Sequence, residues 1–172
     1  MNKFVIISLF FFLFACSNSN KNANQILILH SSEKGEVEMY SYLTQEGDTV
    51  ITEGKYVVCF SDTIKTMGFV YSAETGWMAI DNKGDKLFDV YTFDNGPDYE
   101  SEGLFRILKN NKMGFANSEG KIIIEPAFDF VYPFEDGKAK FGVSCKKTSD
   151  GEHEQIDCLE WYFIDKQGRK II

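Results

Sequence analysis

Short apolar runs, rich in β-branched and aromatic residues, alternate along the chain with tight polar breaks that contain glycine. The stretch from Met113 to Phe141, MGFANSEGKIIIEPAFDFVYPFEDGKAKF, sets the pattern. Met113 to Asn117 runs from apolar to polar, Ser118-Glu119-Gly120 breaks it, and Lys121 to Ile124 is β-branched, as a strand prefers. A glycine between two such runs supplies the positive φ of a tight hairpin turn. Glu125-Pro126 then ends the second run, because proline has no N–H to give to a ladder. Phe128, Phe130, Tyr132 and Phe134 follow at alternate positions, a spacing that puts four rings on one face of an extended chain. Glu135-Asp136-Gly137 turns the chain again, and another strand starts at Lys138.

Poorer copies of this stretch start at Tyr40, Trp77 and Trp161, each with a turn glycine in phase: Gly47, Gly84 and Gly168 beside Gly120. Three strands per copy are predicted: 26–30, 39–44 and 49–52; 64–71, 77–81 and 86–90; 104–109, 113–117 and 121–124; 138–145, 159–165 and 170–172. Aromatic connections, 53–63, 91–103 and 125–137, lead from each third strand to the next first strand. No segment keeps apolar residues at helical spacing over a usable length. The pattern therefore predicts an all-β fold of antiparallel hairpin repeats, about three and a half copies, in a twisted meandering sheet or β-solenoid. A unit that cannot bury its own apolar face must stack on its neighbours.

The copies resemble WG repeats, a bacterial module with the rough form W-G-[YF]-I-D-x-x-G-K-x-V-I-x-P-x-[YF]-D followed by P-F-x-[ED]-G. The central copy carries Gly114-Phe115, Gly120-Lys121, Ile124, Pro126, Phe128-Asp129, Pro133-Phe134 and Glu135-Asp136-Gly137. The copies depart from it at the naming dipeptide, which reads Tyr40-Ser41, Trp77-Met78, Met113-Gly114 and Trp161-Tyr162. The resemblance, over Tyr40 to Ile172, implies a repeat scaffold with an interaction role and no activity common to the family.

The N-terminus has a different pattern. Lys3 precedes an apolar run from Phe4 to Phe14, interrupted by Ser8, which is too short to span a bilayer as a helix and suits a signal-peptide core. Leu13-Phe14-Ala15-Cys16 closes it and resembles the lipobox of bacterial lipoproteins. That resemblance implies that residues 1–15 are a cleaved signal peptide and that Cys16 carries the lipid. It further implies a cell-envelope location, with Ser17 after the cysteine favouring the outer membrane. Residues 16–25, rich in Asn and Ser, have nothing to bury and read as a flexible tether to a β-repeat domain over 26–172.

Composition narrows the partners. A formal charge of −8 repels phosphate backbones, so nucleic acid is a poor partner. His30 and His153 lack the convergent partners of a triad or zinc site. Asp81-Asn82-Lys83-Gly84-Asp85 has calcium-type oxygens but not the full loop spacing, and turn chemistry explains its composition. Asp94-Asn95-Gly96-Pro97-Asp98 has the same explanation, and Trp77 and Trp161, at equivalent positions, read as packing residues. No catalytic residue, cofactor or metal ligand set is predicted.

Twelve residues between Cys145 and Cys158 lengthen the last copy, and Asp150-Gly151 marks a hairpin turn within them. With a four-residue loop from Asp150 to His153, Cys145 faces Cys158, within disulfide range. With a two-residue loop, Cys145 faces Ile156 and the pairing would need a bulge. Export to an oxidising compartment favours a Cys145–Cys158 bridge and leaves Cys59 as a reduced thiol. The functional expectation is a lipid-anchored envelope module, held to the membrane by its N-terminal lipid, that binds a protein or an envelope glycan without catalysis. The alternatives are a glycan hydrolase using a carboxylate pair and a structural assembly subunit.

Overall fold

The computed structural model describes residues 25–149 and 154–171, and every regular element among them is a strand. Cys16 and His153 lie outside the described residues, as do Asp150-Gly151 and the 1–15 segment. The strands fall into four repeats. The first holds β1 (Leu27–Lys34), β2 (Val37–Thr44) and β3 (Thr49–Ile51), and its connection contains β4 (Val58–Cys59) and β5 (Thr63–Ile64). The second holds β6 (Met67–Ser72), β7 (Gly76–Asp81) and β8 (Lys86–Val90), and its connection contains β9 (Thr92–Phe93) and β10 (Gly96–Pro97). The third holds β11 (Phe105–Lys109), β12 (Lys112–Ala116) and β13 (Ile122–Phe128), with β14 (Phe130–Val131) in its connection. The fourth holds β15 (Lys138–Ser149), β16 (Glu154–Asp165) and β17 (Lys170–Ile171).

Each second-to-third-strand turn is built alike. Thr44, Asp81, Asn117 and Asp165 each turn a side-chain oxygen back to accept the amides two and four residues on, at 2.8–3.2 Å. The glycine three residues on, at φ of 92°, 83°, 81° and 77° for Gly47, Gly84, Gly120 and Gly168, donates its amide to the same residue's carbonyl. One oxygen of the Asp81 carboxylate thus serves its own turn.

These turns also join the repeats. A Cβ on Gly84 would lie 3.0 Å from Ile51 Cγ1, one on Gly120 2.8 Å from Leu87 Cδ1, and one on Gly168 3.1 Å from Ile124 Cγ2. In each case the turn of one repeat presses on the third strand of the repeat before it, whereas a Cβ on Gly47 would meet nothing. A valine at Gly47 therefore bears only the left-handed backbone penalty, ~1–2 kcal/mol. Gly84→Val bears that penalty plus displacement of Ile51. Urea unfolding of the two variants should show the larger loss for Gly84→Val, and equal losses would dismiss the turn as a docking contact.

The ladders form a four-stranded sheet ordered β3-β2-β1-β5, a seven-stranded sheet ordered β13-β12-β11-β8-β7-β6-β4 and a four-stranded sheet ordered β14-β15-β16-β17, with the β9–β10 hairpin apart. The long sheet curls hard. Phe69 on β6 and Phe105 on β11 are separated by two intervening strands, roughly 14 Å of flat sheet. Their ring centroids are nonetheless 5.2 Å apart. Trp77, Ala79, Phe88 and Ile107 fill the curled face. The opposite face is covered twice: Val70, Met78 and Ile80 pack with Leu27, Tyr42 and Ile51 of the first repeat, and Met113 and Phe115 pack with Phe134, Phe141 and Ile164 near the last.

Four expectations need correction. The tether's last residue, Gln25, is part of the fold: its side-chain amide donates to Asn82 O at 2.9 Å and its carbonyl accepts from Asn82 Nδ2 at 2.8 Å. The first hairpin runs through 31–38, where the exposed Ser, Glu and Lys residues hide a ladder that closes at Lys34↔Val37 on a Gly35 turn with φ 70°. The β13 strand does not stop at Glu125-Pro126. Its pairing shifts register between Phe115↔Ile124 and Met113↔Phe128, so the proline sits in a bulge where its missing N–H costs no ladder bond. Finally, the four alternate aromatics do not share one face, because the chain bends at Asp129. Phe128 packs on Phe141, Phe130 and Tyr132 pack on Trp161, and Phe134 packs on Phe115.

Candidate functional site

Every repeat boundary is sealed in the same way. Cys59, Val90 and Val131 take one place, opposite Val70, Ile107 and Phe141. The next residue is aromatic each time, and the amides of Phe60, Tyr91 and Tyr132 donate to the carbonyls of Phe69, Arg106 and Lys140 at 2.8–3.1 Å. The rings face different surroundings. Tyr91 is half-buried under Arg106, Phe60 leans edge-on against Trp77, and Tyr132 stands 44% exposed against Trp161.

Around Tyr132 the last boundary opens into a groove of about 840 Å³. Two connections and the last sheet build it. Tyr99 and Ser101 come from the 91–103 connection, Tyr132 to Asp136 from the next, and Lys138, Lys140 and Phe163 from β15 and β16. Tyr99, Tyr132 and Phe163 expose 49%, 44% and 41% of their surface there. The Lys138 ammonium lies 5.2 Å from the centre of the Phe163 ring and the Lys140 ammonium 4.6 Å from that of Trp161, positions at which the ring quadrupole attracts a cation. Glu135 and Asp136 stand exposed on the rim.

The walls are held from behind. Ser101 Oγ donates to Phe134 O at 2.6 Å, tying one connection to the other. The carboxylate of Glu102 accepts from the Gly137 amide at 3.1 Å and pairs with Lys166 at 3.0 Å. The Lys166 contact first, then the Gly137 amide, holds the Glu102 carboxyl below the usual carboxylate range. Phe93, on the hairpin formed by β9 and β10, packs its ring edgewise on Tyr99 at 5.2 Å. Asp94 and Asn95, with φ of 46° and 63°, form the two-residue turn of that hairpin.

Behind Tyr99 lies a buried ion pair that local sequence reading misses. Asp98 and Arg106 are each 3% exposed. Asp98 Oδ2 accepts from Arg106 N at 2.8 Å and Arg106 Nε at 2.9 Å, and Oδ1 accepts from Nη2 at 2.5 Å. The guanidinium carbon stands 4.3 Å from the centre of the Tyr91 ring, and Nη1 reaches Val131 O at 3.4 Å. Geometry, hydrogen bonding and burial make the pair a structural rivet rather than a reactive group. Its one sequence signal is an arginine where the equivalent positions hold Phe69 and Lys140, which means something only once the register is known.

Asp129 does similar work on the far side. Its carboxylate pairs with Lys112 and accepts from the Ser144 amide at 2.7 Å. The Lys112 contact first, then the amides of Ser144 and Cys145, hold its carboxyl below the usual range against an opposing effect of burial. The contact fixes β15 at Ser144, whose φ is 54°. Ser149 opposes Glu154 and Cys145 opposes Cys158, the register of a four-residue loop. The two cysteines are joined as a disulfide with Cα atoms 3.9 Å apart, closer than the ~4.5–5.5 Å range of opposed strand pairs. Gly142 makes room: a Cβ there would stand 2.5 Å from Cys145 Sγ and closer still to Cys158 Sγ.

Cys59 is a free, half-buried thiol whose pKa burial raises, with Tyr42 beside it pulling the other way. His30 is exposed on β1, away from the groove. Trp77 is core, 7% exposed, whereas Trp161 is half-buried on the outer face among Phe130, Tyr132 and Lys140. Among the described residues no group of three or more His, Cys, Asp or Glu side chains stands together, and no helix is long and apolar enough to cross a membrane. The chain matches no curated protein and no solved structure. Residues 113–143, which supply β12, β13, β14 and the groove's Tyr132 to Lys140 wall, match the WG containing repeat.

Proposed function

We propose that this protein is a lipid-anchored module of the cell envelope that binds a protein or a glycan through the groove at its last repeat boundary and performs no catalysis. The observation that carries the reading is the set of three open rings, Tyr99, Tyr132 and Phe163, held in place by buried or paired polar groups. Preorganised aromatic platforms of this kind give contact area at small cost in side-chain freedom. The two groove carboxylates favour binding over hydrolysis. Glu135 and Asp136 are exposed neighbours on one turn, and a glycosidase needs one carboxyl kept protonated by burial across the scissile bond from the other.

The anchor rests on Leu13-Phe14-Ala15-Cys16. Cys16→Ser should leave the precursor uncleaved and out of the detergent-partitioning acylated fraction; a Cys16→Ser protein that is still processed and acylated would remove the anchor from the proposal. The groove is tested separately. A diazirine side chain at Tyr132 should give adducts in intact cells that the same side chain at Lys83, on a distant turn, does not. Identical adduct patterns from both positions would overturn the groove as the binding site.

A further inference from the structure

Resting on the reading of the groove as a binding site, we infer that its ligand is a glycan that carries a carboxylate on the sugar. Shape and surface point to a sugar first. The rings of Tyr99, Tyr132 and Phe163 are open but are interleaved with polar groups, as suits a sugar ring with one apolar face and a hydroxylated edge. At about 840 Å³ the groove lies within the roughly 300–1,000 Å³ range of small-ligand sites, room for a short oligosaccharide rather than a folded partner.

Charge then selects the kind of sugar. The chain as a whole is acidic, at −8, yet the groove lining presents two lysines, Lys138 and Lys140, beside its two carboxylates, Glu135 and Asp136. The cations that lie near other carboxylates are already matched: Lys166 pairs with Glu102, Lys112 with Asp129 and Arg169 with Asp165. Lys138 and Lys140 lie instead over ring faces, Lys138 over Phe163 within the groove and Lys140 over Trp161 next to Tyr132. A carboxylate projecting from the stacked sugar completes both charges, while Glu135 and Asp136, on the turn that leads into Lys138, accept from hydroxyls.

A phosphate fits less well. Phosphate sites draw on free backbone amides or a guanidinium fork. Here the amides of the rim turn are taken, since Gly137 N–H donates to Glu102 and the Glu135 and Lys138 amides donate to each other's carbonyls.

The test is calorimetric titration of the folded full-length protein, freed of its signal peptide, with tetragalacturonate and with the same tetrasaccharide after carboxyl reduction. Tetragalacturonate should bind at least about tenfold more tightly than its neutral counterpart, the size of one charge-assisted contact. Lys138→Gln with Lys140→Gln should abolish the difference while leaving neutral binding in place, Lys140→Arg should retain it, and Tyr132→Ala should weaken both sugars. All three positions line the open groove, and an unchanged thermal midpoint certifies the fold of each variant. Equal affinity for the two sugars, or a preference untouched by the double lysine change, overturns the inference. So does tighter binding of a phosphorylated tetrasaccharide. If neither sugar binds but the diazirine at Tyr132 captures a protein, the glycan inference falls and the module reading stands. If neither sugar binds and the crosslinker gives no groove-specific adduct, both fall.

Discussion

Asp98→Ala is expected to lower the free energy of unfolding by about 3–5 kcal/mol, because it leaves a buried guanidinium without its counter-charge. The Arg106 side chain is 4% exposed and that of Asp98 fully enclosed. Three hydrogen bonds to one carboxylate disappear together, including the one that holds the Arg106 amide. The Tyr91 ring beneath the cation cannot replace them, since a cation–π contact contributes only ~0.5–2 kcal/mol. Removing both charges has a different outcome. Asp98→Leu combined with Arg106→Met takes away the uncompensated charge along with its partner and should recover a large part of the loss. Urea titration of both variants decides the matter. A double variant as unstable as Asp98→Ala would show that the damage lies in packing rather than in charge. Tyr99 is bonded to Asp98, so the single variant should also loosen one groove wall.

The second large effect is expected at Gly114. A Cβ there would stand 2.6 Å from Pro126 N, 2.8 Å from Glu125 C and closer still to Ile124 O. These are backbone atoms, fixed in the β13 bulge, and cannot rotate aside as a side chain would. Gly114→Ala should therefore cost about 3 kcal/mol, the upper end of the range for overpacking. The comparison inside the molecule supports this. Met78 occupies the equivalent place on β7, and the strand facing it, β8, has one register shift where β13 has two. Glycine and the proline bulge thus occur together in the third repeat and are both missing in the second. A Gly114→Ala protein whose unfolding free energy is within about 0.5 kcal/mol of the parent would mean that the bulge is soft.

This pair shows how far the sequence could be read. Gly120 and its three counterparts announce the hairpins because a turn is a local event, decided by residues a few positions apart. The same local reading ended β13 at Pro126, since it could not see that Gly114 across the ladder leaves space for a bulge. Residues 31–38 read as a loop because both faces of that hairpin are largely polar and no buried face marks its period. The groove was out of reach for another reason. Its rings come from positions 99, 132 and 163, on three segments brought together only by the curl and by the rivets at Asp98 and Glu102. Cys145 and Cys158 were legible as a pair because the turn between them sets their register, though its length had to be seen to choose between two alignments.

The contacts of Gly84, Gly120 and Gly168 with the preceding repeats have an evolutionary consequence. Each unit carries a plug, its glycine turn, and the later units find a socket in the third strand of the unit before. A duplicated unit would arrive with both halves and could dock without any new surface having to arise. Length change in whole units is therefore cheap, and change by a fraction of a unit is not, because it puts plug and socket out of phase. Additions that leave the phase alone escape this constraint. The 146–157 extension lies ahead of the last turn, a place where such a chain can acquire new surface while its repeats continue to interlock.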